Sequence, residues 1–415
     1  MSRFFSKLGP GLITGAADDD PSGISTYSVA GASFGYDLLW TALFSFPLMS
    51  AVQLMCARLG LVTGLGLAGA IRVYYSRPIL WFACALLITA NIVNIAADLG
   101  GMADVTKLLT GTQTIFWTPA YAVLILALLV WTSYRTIARI FKWLTLVLLA
   151  YILAAFLARP NWVTVLEATL TPRLAWTPQY WATLVAILGT TISPYLFFWQ
   201  AAQEVEEDKS RGNLTLESRR GATLAELKAC RNDVVSGMFF ATLVMYFIML
   251  TASATLHAHG LTTIATARDA AEALRPMAGD GAFWLFSLGL IGAGMLGVPV
   301  LAGSCAYAIT EAAAWEGSLD AKPMQALRFY EVIAVSMTLG LVLDFVGLDA
   351  VKMLFWAAVL NGILAPPLLV LVVLLTSRED VMGKHRNGPL LKSLGWSCAA
   401  LMFAATAVMI YTIVM

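Results

Sequence analysis

Long apolar runs alternate with short polar segments along the whole chain. A run of about 20 apolar residues is long enough to cross the hydrocarbon core of a bilayer as a helix. The pattern therefore predicts an all-α polytopic membrane protein with about 11 transmembrane helices. The predicted spans are residues 8–32, 37–60, 78–108, 116–134, 139–158, 180–205, 232–258, 283–315, 328–345, 349–376 and 391–414.

Composition supports this class. Of the 415 residues, 59% are hydrophobic and only 12% are charged, whereas about a quarter of the residues in a soluble domain are charged. The net charge of +1 gives no reason to expect a nucleic-acid partner, so the lipid bilayer is the expected surrounding. The five cysteines lack CxxC spacing, which predicts buried thiols rather than disulfides or metal ligands.

The distribution of basic residues predicts the orientation. With the N-terminus placed inside, the cytoplasmic segments hold 20 of the 26 Lys and Arg residues. The positive-inside rule therefore favours a cytoplasmic N-terminus, an extracytoplasmic C-terminus and an odd number of spans. No composition shift divides the chain, so residues 1–415 are expected to form one transporter domain in the cell membrane, and the absence of eukaryotic targeting features favours a prokaryotic source.

Two predicted spans are interrupted by helix-breaking residues. Span 1 contains "DDDPSG" and span 6 contains "GTTISP". Proline blocks helix continuation, and unwound backbone at membrane depth is tolerated where it lines a cavity. Breaks at the first and sixth positions favour a 5+5 inverted repeat (8–158 and 180–376) with an added helix at 391–414, and they predict a binding site where the broken helices meet.

The first interruption carries three consecutive carboxylates, Asp18, Asp19 and Asp20. On a helix they would point about 100° apart, but in unwound backbone they can surround one point. Carboxylate oxygens with free carbonyls nearby suit a hard cation. The alternative is that some of them are protonated or face a water-filled vestibule. Asp20, which directly precedes the proline, is the strongest candidate ligand.

Span 3 carries a polar stripe of Asn91, Asn94 and Asp98 on one helical face. Such a stripe faces the interior of a bundle, where it either forms interhelical hydrogen bonds or lines a permeation path. Asn361 in span 10 is a further candidate for an oxygen on that path.

Both interrupted spans resemble the Nramp family of divalent-metal transporters. The stretch "GPGLITGAADDDPSGISTYSVAGASFGYDLLW" is similar to that family's first helix, which carries Asp-Pro-Gly-Asn, and "LGTTISPYLFFW" is similar to its sixth, which carries Ala-x-x-Met-Pro-His. The resemblance covers the whole chain and implies a LeuT-like fold. It also implies metal ligands at the Asp20 carboxylate and at the carbonyls of Ala17 and Thr190.

The departures from the family pattern concern the ligands. Gly23 stands at the asparagine position, Ser193 at the methionine position and Tyr195 at the histidine position. The loss of a soft thioether removes a preference for transition metals. A hard-oxygen site that also contains Asp18 and Asp19 suits partly hydrated magnesium. The chain therefore looks like the magnesium-transporting branch related to Nramp.

The resemblance also bears on coupling. Asp98 matches an aspartate that the family uses in proton movement, but Gly101 replaces the glutamate three residues later, and Tyr195 replaces the histidine. We therefore expect a transporter of Mg2+, and also of Mn2+, that is uncoupled from protons. The ions are substrates, and no enzymatic activity, cofactor or obligate protein partner is expected.

Three alternatives remain at this stage. One is a proton-coupled Mn2+/Fe2+ symporter of the Nramp type. Another is a LeuT-fold symporter for an organic solute, although three aspartates would repel a carboxylated substrate. The third is an intramembrane aspartyl protease, which would need Asp20 and Asp98 to share a proton but would leave the break in span 6 unexplained.

Overall fold

The chain folds into helices joined by short connections. The computed structural model describes residues 9–132, 136, 146–347 and 349–415, and these contain no β-strand. The α-helices of this part of the chain are α1 Pro10–Asp18, α2 Pro21–Phe34, α3 Trp40–Thr63, α4 Leu67–Tyr74, α5 Arg77–Thr110, α6 Thr114–Trp131, α7 Ala150–Leu157, α8 Trp162–Leu170, α9 Pro178–Thr191, α10 Pro194–Ser210, α11 Leu216–Arg219, α12 Leu224–Thr255, α13 Ala267–Ala271, α14 Arg275–Ala278, α15 Ala282–Ala313, α16 Leu327–Asp344, α17 Ala350–Ser377, α18 Glu379–Met382 and α19 Pro389–Val414.

Eight helical segments of the described residues are long and apolar enough to cross a bilayer. One of them, Pro178–Ser210, is the pair α9 and α10 taken together. The pair α1 and α2 covers predicted span 1, and α16 covers predicted span 9 but carries Arg328, Glu331 and Asp344. Predicted span 5 (139–158) lies partly outside the described residues, and α7 covers its second half. The protein is a multi-pass membrane protein.

Helix α1 packs closely along α12 because glycines line their contact. Cβ atoms added at Gly11 and Gly15 would overlap the backbone of Val234 and Gly237, respectively. Small residues of this kind let two membrane helices approach backbone to backbone. The N-terminus of α1 lacks a side-chain cap of its own. Instead, Asp233 of α12 accepts a hydrogen bond from the Gly11 amide at 2.6 Å.

Helix α2 lies in the centre of the bundle. It contacts α5, α9, α12, α15 and α17, and the Ser22 hydroxyl donates to the Leu354 carbonyl of α17 at 3.0 Å. Pro21, Ser22 and Gly23 at its N-terminal end are all buried. The interruption between α1 and α2 is therefore enclosed by protein, as unwound backbone at membrane depth requires.

The prediction of buried thiols without disulfides is confirmed for the cysteines. All five, which are Cys56, Cys84, Cys230, Cys305 and Cys398, are free and buried.

Candidate functional site

The first helix break is formed by Asp19 and Asp20. Helix α1 runs through Asp18, and Asp19 leaves the helical conformation at φ −83° and ψ 56°. Asp20 is extended and caps α2, because its Oδ1 accepts from the Gly23 amide at 2.7 Å. Pro21 then occupies the first helical position, where its missing N–H costs nothing. The aspartate and the proline together explain why the chain restarts as a helix here.

The second break also has a proline at the start of its second helix, but no side chain caps that helix. Helix α9 ends at Thr191, Ile192 and Ser193 are non-helical, and Pro194 starts α10. The Ser193 hydroxyl lies 2.7 Å from the Thr190 carbonyl and 2.8 Å from the Gly189 carbonyl. The carbonyl that the resemblance assigns as a ligand at Thr190 therefore accepts a hydrogen bond from the protein in this structure.

The two breaks meet through Tyr195. Its hydroxyl lies 3.1 Å from the Ala17 carbonyl oxygen and 3.2 Å from Asp20 Oδ2. Gly23 faces the other break, because a Cβ added there would lie 3.1 Å from Thr190 Oγ1 and 3.4 Å from the Asp18 carbonyl. The structure thus brings the expected elements of the site together. It also shows a contact that the sequence did not reveal, the phenol between two expected ligands.

The aspartate triplet is buried but does not converge. Asp18, Asp19 and Asp20 are 1%, 4% and 1% exposed, and Oδ1 of both Asp18 and Asp19 lacks a hydrogen-bond partner. Within the described residues no three His, Cys, Asp or Glu side chains form a group that could hold a metal ion. An arrangement of all three carboxylates around one point is therefore not present. The reason is that Asp18 remains helical, so the chain is unwound only from Asp19 onward.

The polar stripe of span 3 lies on α5 and is fully buried. Asn94 and Asn361 exchange hydrogen bonds at 2.8 and 3.2 Å, and the Asn91 amide donates to the Leu301 carbonyl at 2.9 Å. The interhelical bonding considered for this stripe is thus present for both asparagines. Asp98 differs from them, because neither of its carboxylate oxygens accepts a hydrogen bond.

Gly297 of α15 lies beside the first helix break, and the sequence did not predict it as a residue of the site. A Cβ added to it would lie 3.1 Å from the Asp20 Cβ and 3.8 Å from Asp98 Oδ2. One turn earlier, a Cβ at Gly294 would lie 3.2 Å from the Pro21 ring. The signal that was available in "GAGMLG" is the pair of small residues Ala293 and Gly297, four positions apart, which is typical of a close helix approach.

The comparisons with known proteins agree with this architecture. The sequence profile of the family described as Nramp, natural resistance-associated macrophage protein-like, matches residues 11–412. The chain belongs to the Nramp family. This confirms the family resemblance.

Solved structures of the manganese transporter from Eremococcus coleocola share the fold. The structure in complex with an aromatic bis-isothiourea substituted compound has a TM-score of 0.76 and 20% identity, over 99% of this chain and 87% of that one. The structure of a mutant of the same transporter has a TM-score of 0.75 and 21% identity, over 98% and 85% of the two chains.

Two more distant solved structures share the same architecture. MhsT in complex with L-phenylalanine has a TM-score of 0.60 and 12% identity, over 98% of both chains. A nucleobase-cation-symport-1 family transporter in a closed conformation has a TM-score of 0.60 and 14% identity, over 98% of this chain and 93% of that one. The predicted fold class, an all-α LeuT-like membrane protein with broken first and sixth spans, is confirmed.

Proposed function

We propose that this Nramp-family divalent-metal transporter carries Mg2+ as its main substrate, and also Mn2+, as a partly hydrated ion by alternating access. The observation that carries the proposal is the chemistry of the groups at the two breaks. They are a carboxylate, backbone carbonyls and hydroxyls, with Ser193 and Tyr195 at the positions of the family's methionine and histidine. Oxygen ligands without sulfur or imidazole suit magnesium.

In this proposal the ion lies between the two breaks. The Asp20 carboxylate and the carbonyls of Ala17 and Thr190 bind it, while Ser193 and Gly23 line the site. The backbone at Gly23 lies close to Thr190 and has no side chain to offer, so water fills the position of the family's asparagine. Asp18 and Asp19 contribute negative charge to the approach rather than direct bonds, because the three carboxylates do not converge.

The permeation path in this proposal continues along α5 and α17. Asp98 and Asp20 both lie close to the Gly297 backbone, which makes Asp98 the polar group next to the ion site. Asn91, Asn94 and Asn361 extend that polar line along the helices. Tyr195 is the remaining group of the path and touches two of the proposed ligands.

Proton coupling is absent in this proposal. A Cβ at Gly101 would lie 3.0 Å from Leu354 Cδ1, so an apolar side chain borders the position where the family has a glutamate. Coupling is also unnecessary for uptake. A divalent cation that crosses a potential of about 100 mV, negative inside, gains about 2 × 2.3 kcal/mol, or about 4.6 kcal/mol. This gain supports about a thousandfold accumulation.

The same proposal includes the topology. The N-terminus is cytoplasmic and the C-terminus extracytoplasmic, in a prokaryotic cell membrane, and residues 8–158 and 180–376 are the two repeats, with 391–414 added. The runner-up is a proton-coupled Mn2+/Fe2+ symporter, which the likeness to a manganese transporter favours. Membership in the Nramp family favours a metal transporter over an aspartyl protease. The likeness to MhsT shows the fold alone and does not favour an organic-solute symporter.

The test is ion flux into liposomes that contain the purified protein, with internal pH recorded at the same time and the potential clamped by valinomycin and potassium. We expect Mg2+ uptake that follows the potential and ignores the pH gradient. Acidification that tracks Mg2+ influx and requires the protein would contradict uncoupled transport. Uptake of Mn2+ without uptake of Mg2+ would contradict the substrate.

A further inference from the structure

The Tyr195 hydroxyl occupies an unusual place between two expected ligands. The side chain is fully buried, and its oxygen lies 3.1 Å from the Ala17 carbonyl oxygen and 3.2 Å from Asp20 Oδ2. A single O–H···O bond is normally about 2.7–2.8 Å long. Two longer contacts from one hydroxyl are typical of a proton shared between two acceptors. The phenol therefore donates to both acceptors.

The distances from the phenol oxygen to its two acceptors also bear on metal binding. Mg2+ prefers an octahedron with bonds of about 2.0–2.1 Å, in which neighbouring ligand oxygens lie about 2.8–3.0 Å apart. The phenol oxygen stands from both of its acceptors at close to this separation. A hydroxyl also has two lone pairs besides its proton, so it can accept an ion as well as donate a hydrogen bond.

We propose, building on the proposed function, that the Tyr195 hydroxyl is itself a direct ligand that determines ion selectivity. In this structure its proton bridges the Ala17 carbonyl and the Asp20 carboxylate. When the ion enters, the hydroxyl turns its proton away and presents its oxygen. The three oxygens then bind the ion as neighbouring ligands together with the Thr190 carbonyl, and water completes the shell. The phenol supplies a hard ligand at the position where the family has a histidine, and so favours Mg2+ over ions that prefer nitrogen.

Substitutions at Tyr195 test this role. Y195F removes only the oxygen, and we expect the KM for Mg2+ and for Mn2+ to rise about tenfold, which corresponds to about 1.4 kcal/mol, with little change in maximal rate. Y195H places an imidazole there, which suits transition metals rather than magnesium. We expect it to recover Mn2+ transport but not Mg2+ transport, so that the Mn2+ to Mg2+ preference rises at least about tenfold.

Y27F is the matched control. Tyr27 is also fully buried beside the breaks, but its hydroxyl bonds Thr191 Oγ1 at 3.1 Å and touches neither Ala17 nor Asp20. We expect its KM values to stay close to wild type. Calorimetric titration of each detergent-solubilised variant with Mg2+ separates binding from turnover, and the size-exclusion profile of each variant verifies its fold.

Two results would overturn the ligand role. One is a Y195F protein with wild-type KM values, and the other is an equal loss in Y195F and Y27F, which would mean that the phenol only packs. Failure of the proposed substrate looks different: the wild type would then carry Mn2+ without Mg2+, and the Mn2+ KM of Y195F would still test the ligand.

Discussion

Asp20 has two roles that can be separated by substitution. One oxygen caps α2 at the Gly23 amide, at 2.7 Å, and the other lies beside Tyr195 in the proposed ion site. Asparagine is as good an N-cap as aspartate but carries no charge, whereas alanine neither caps nor binds. D20N therefore tests the charge alone, and D20A removes the cap as well.

The free-energy cost of losing the helix cap differs from that of losing the ion ligand. Loss of an N-cap costs about 1 kcal/mol, so D20A should stay folded with a slightly lower melting temperature, while D20N should melt like the wild type. An interaction with a charged group contributes about 1.5–3 kcal/mol even for a hydrogen bond. Taking about 3 kcal/mol as the smallest cost of losing an ionic ligand, we expect the KM for Mg2+ to rise about 100-fold or more in both variants.

Mg2+ uptake into liposomes and thermal melting in detergent measure the two effects. Asp349 is a matched control, because it caps α17 through the Lys352 amide at 3.1 Å and is exposed. D349A should lose stability as D20A does and should transport like the wild type. A D20N protein that transports Mg2+ with the wild-type KM would refute the assignment of Asp20 as the charged ligand.

Two further predictions concern the ion site and the contact between α1 and α12. The double variant S193M/G23N restores two ligand types of the family, so its ion preference should shift towards Mn2+ and Cd2+ and its Mg2+ transport should weaken. The new Cβ at residue 23 would lie 3.1 Å from Thr190 Oγ1, so the Thr190 side chain must turn to admit it. An unchanged ion ranking in flux assays would place selectivity elsewhere. In G237A the added methyl group overlaps the Gly11 carbonyl, so α1 and α12 must separate at a cost of about 1–3 kcal/mol. A lower melting temperature than that of G388A, where no atom lies within 4 Å of the new Cβ, would agree with this; equal melting temperatures would contradict it.

The helix breaks could be predicted from the sequence because their causes are local. Proline lacks an amide proton and disfavours a helical residue before it, so "DDDP" and "TTISP" mark the interruptions at Asp20 and Ser193 directly. The family pattern added the fold and the ligand positions. Neither source of information describes which distant side chains touch.

The contacts that the sequence did not reveal join residues far apart in the chain. Tyr195 reaches Ala17 across 178 positions, and Asn361 meets Asn94 across 267. The three aspartates do not converge as expected, and here the reason lies in the local backbone and not in a distant contact. A local argument placed all three residues in unwound backbone, but only Asp19 and Asp20 leave the helical conformation, and the helix persists to Asp18.

The cap of α1 has a consequence for how this helix can move. A helix whose own N-cap side chain accepts from its first amides can tilt or shift without exposing those amides. Helix α1 has no such side chain, and its Gly11 amide donates instead to Asp233 of α12, 222 residues further along the chain. Any swing of α1 away from α12 removes the acceptor of the Gly11 amide and leaves the Asp233 carboxylate without this donor. This one carboxylate thus stabilises the packed position of α1 by about 1 kcal/mol or more. It does so at the end of the helix that is remote from Asp20.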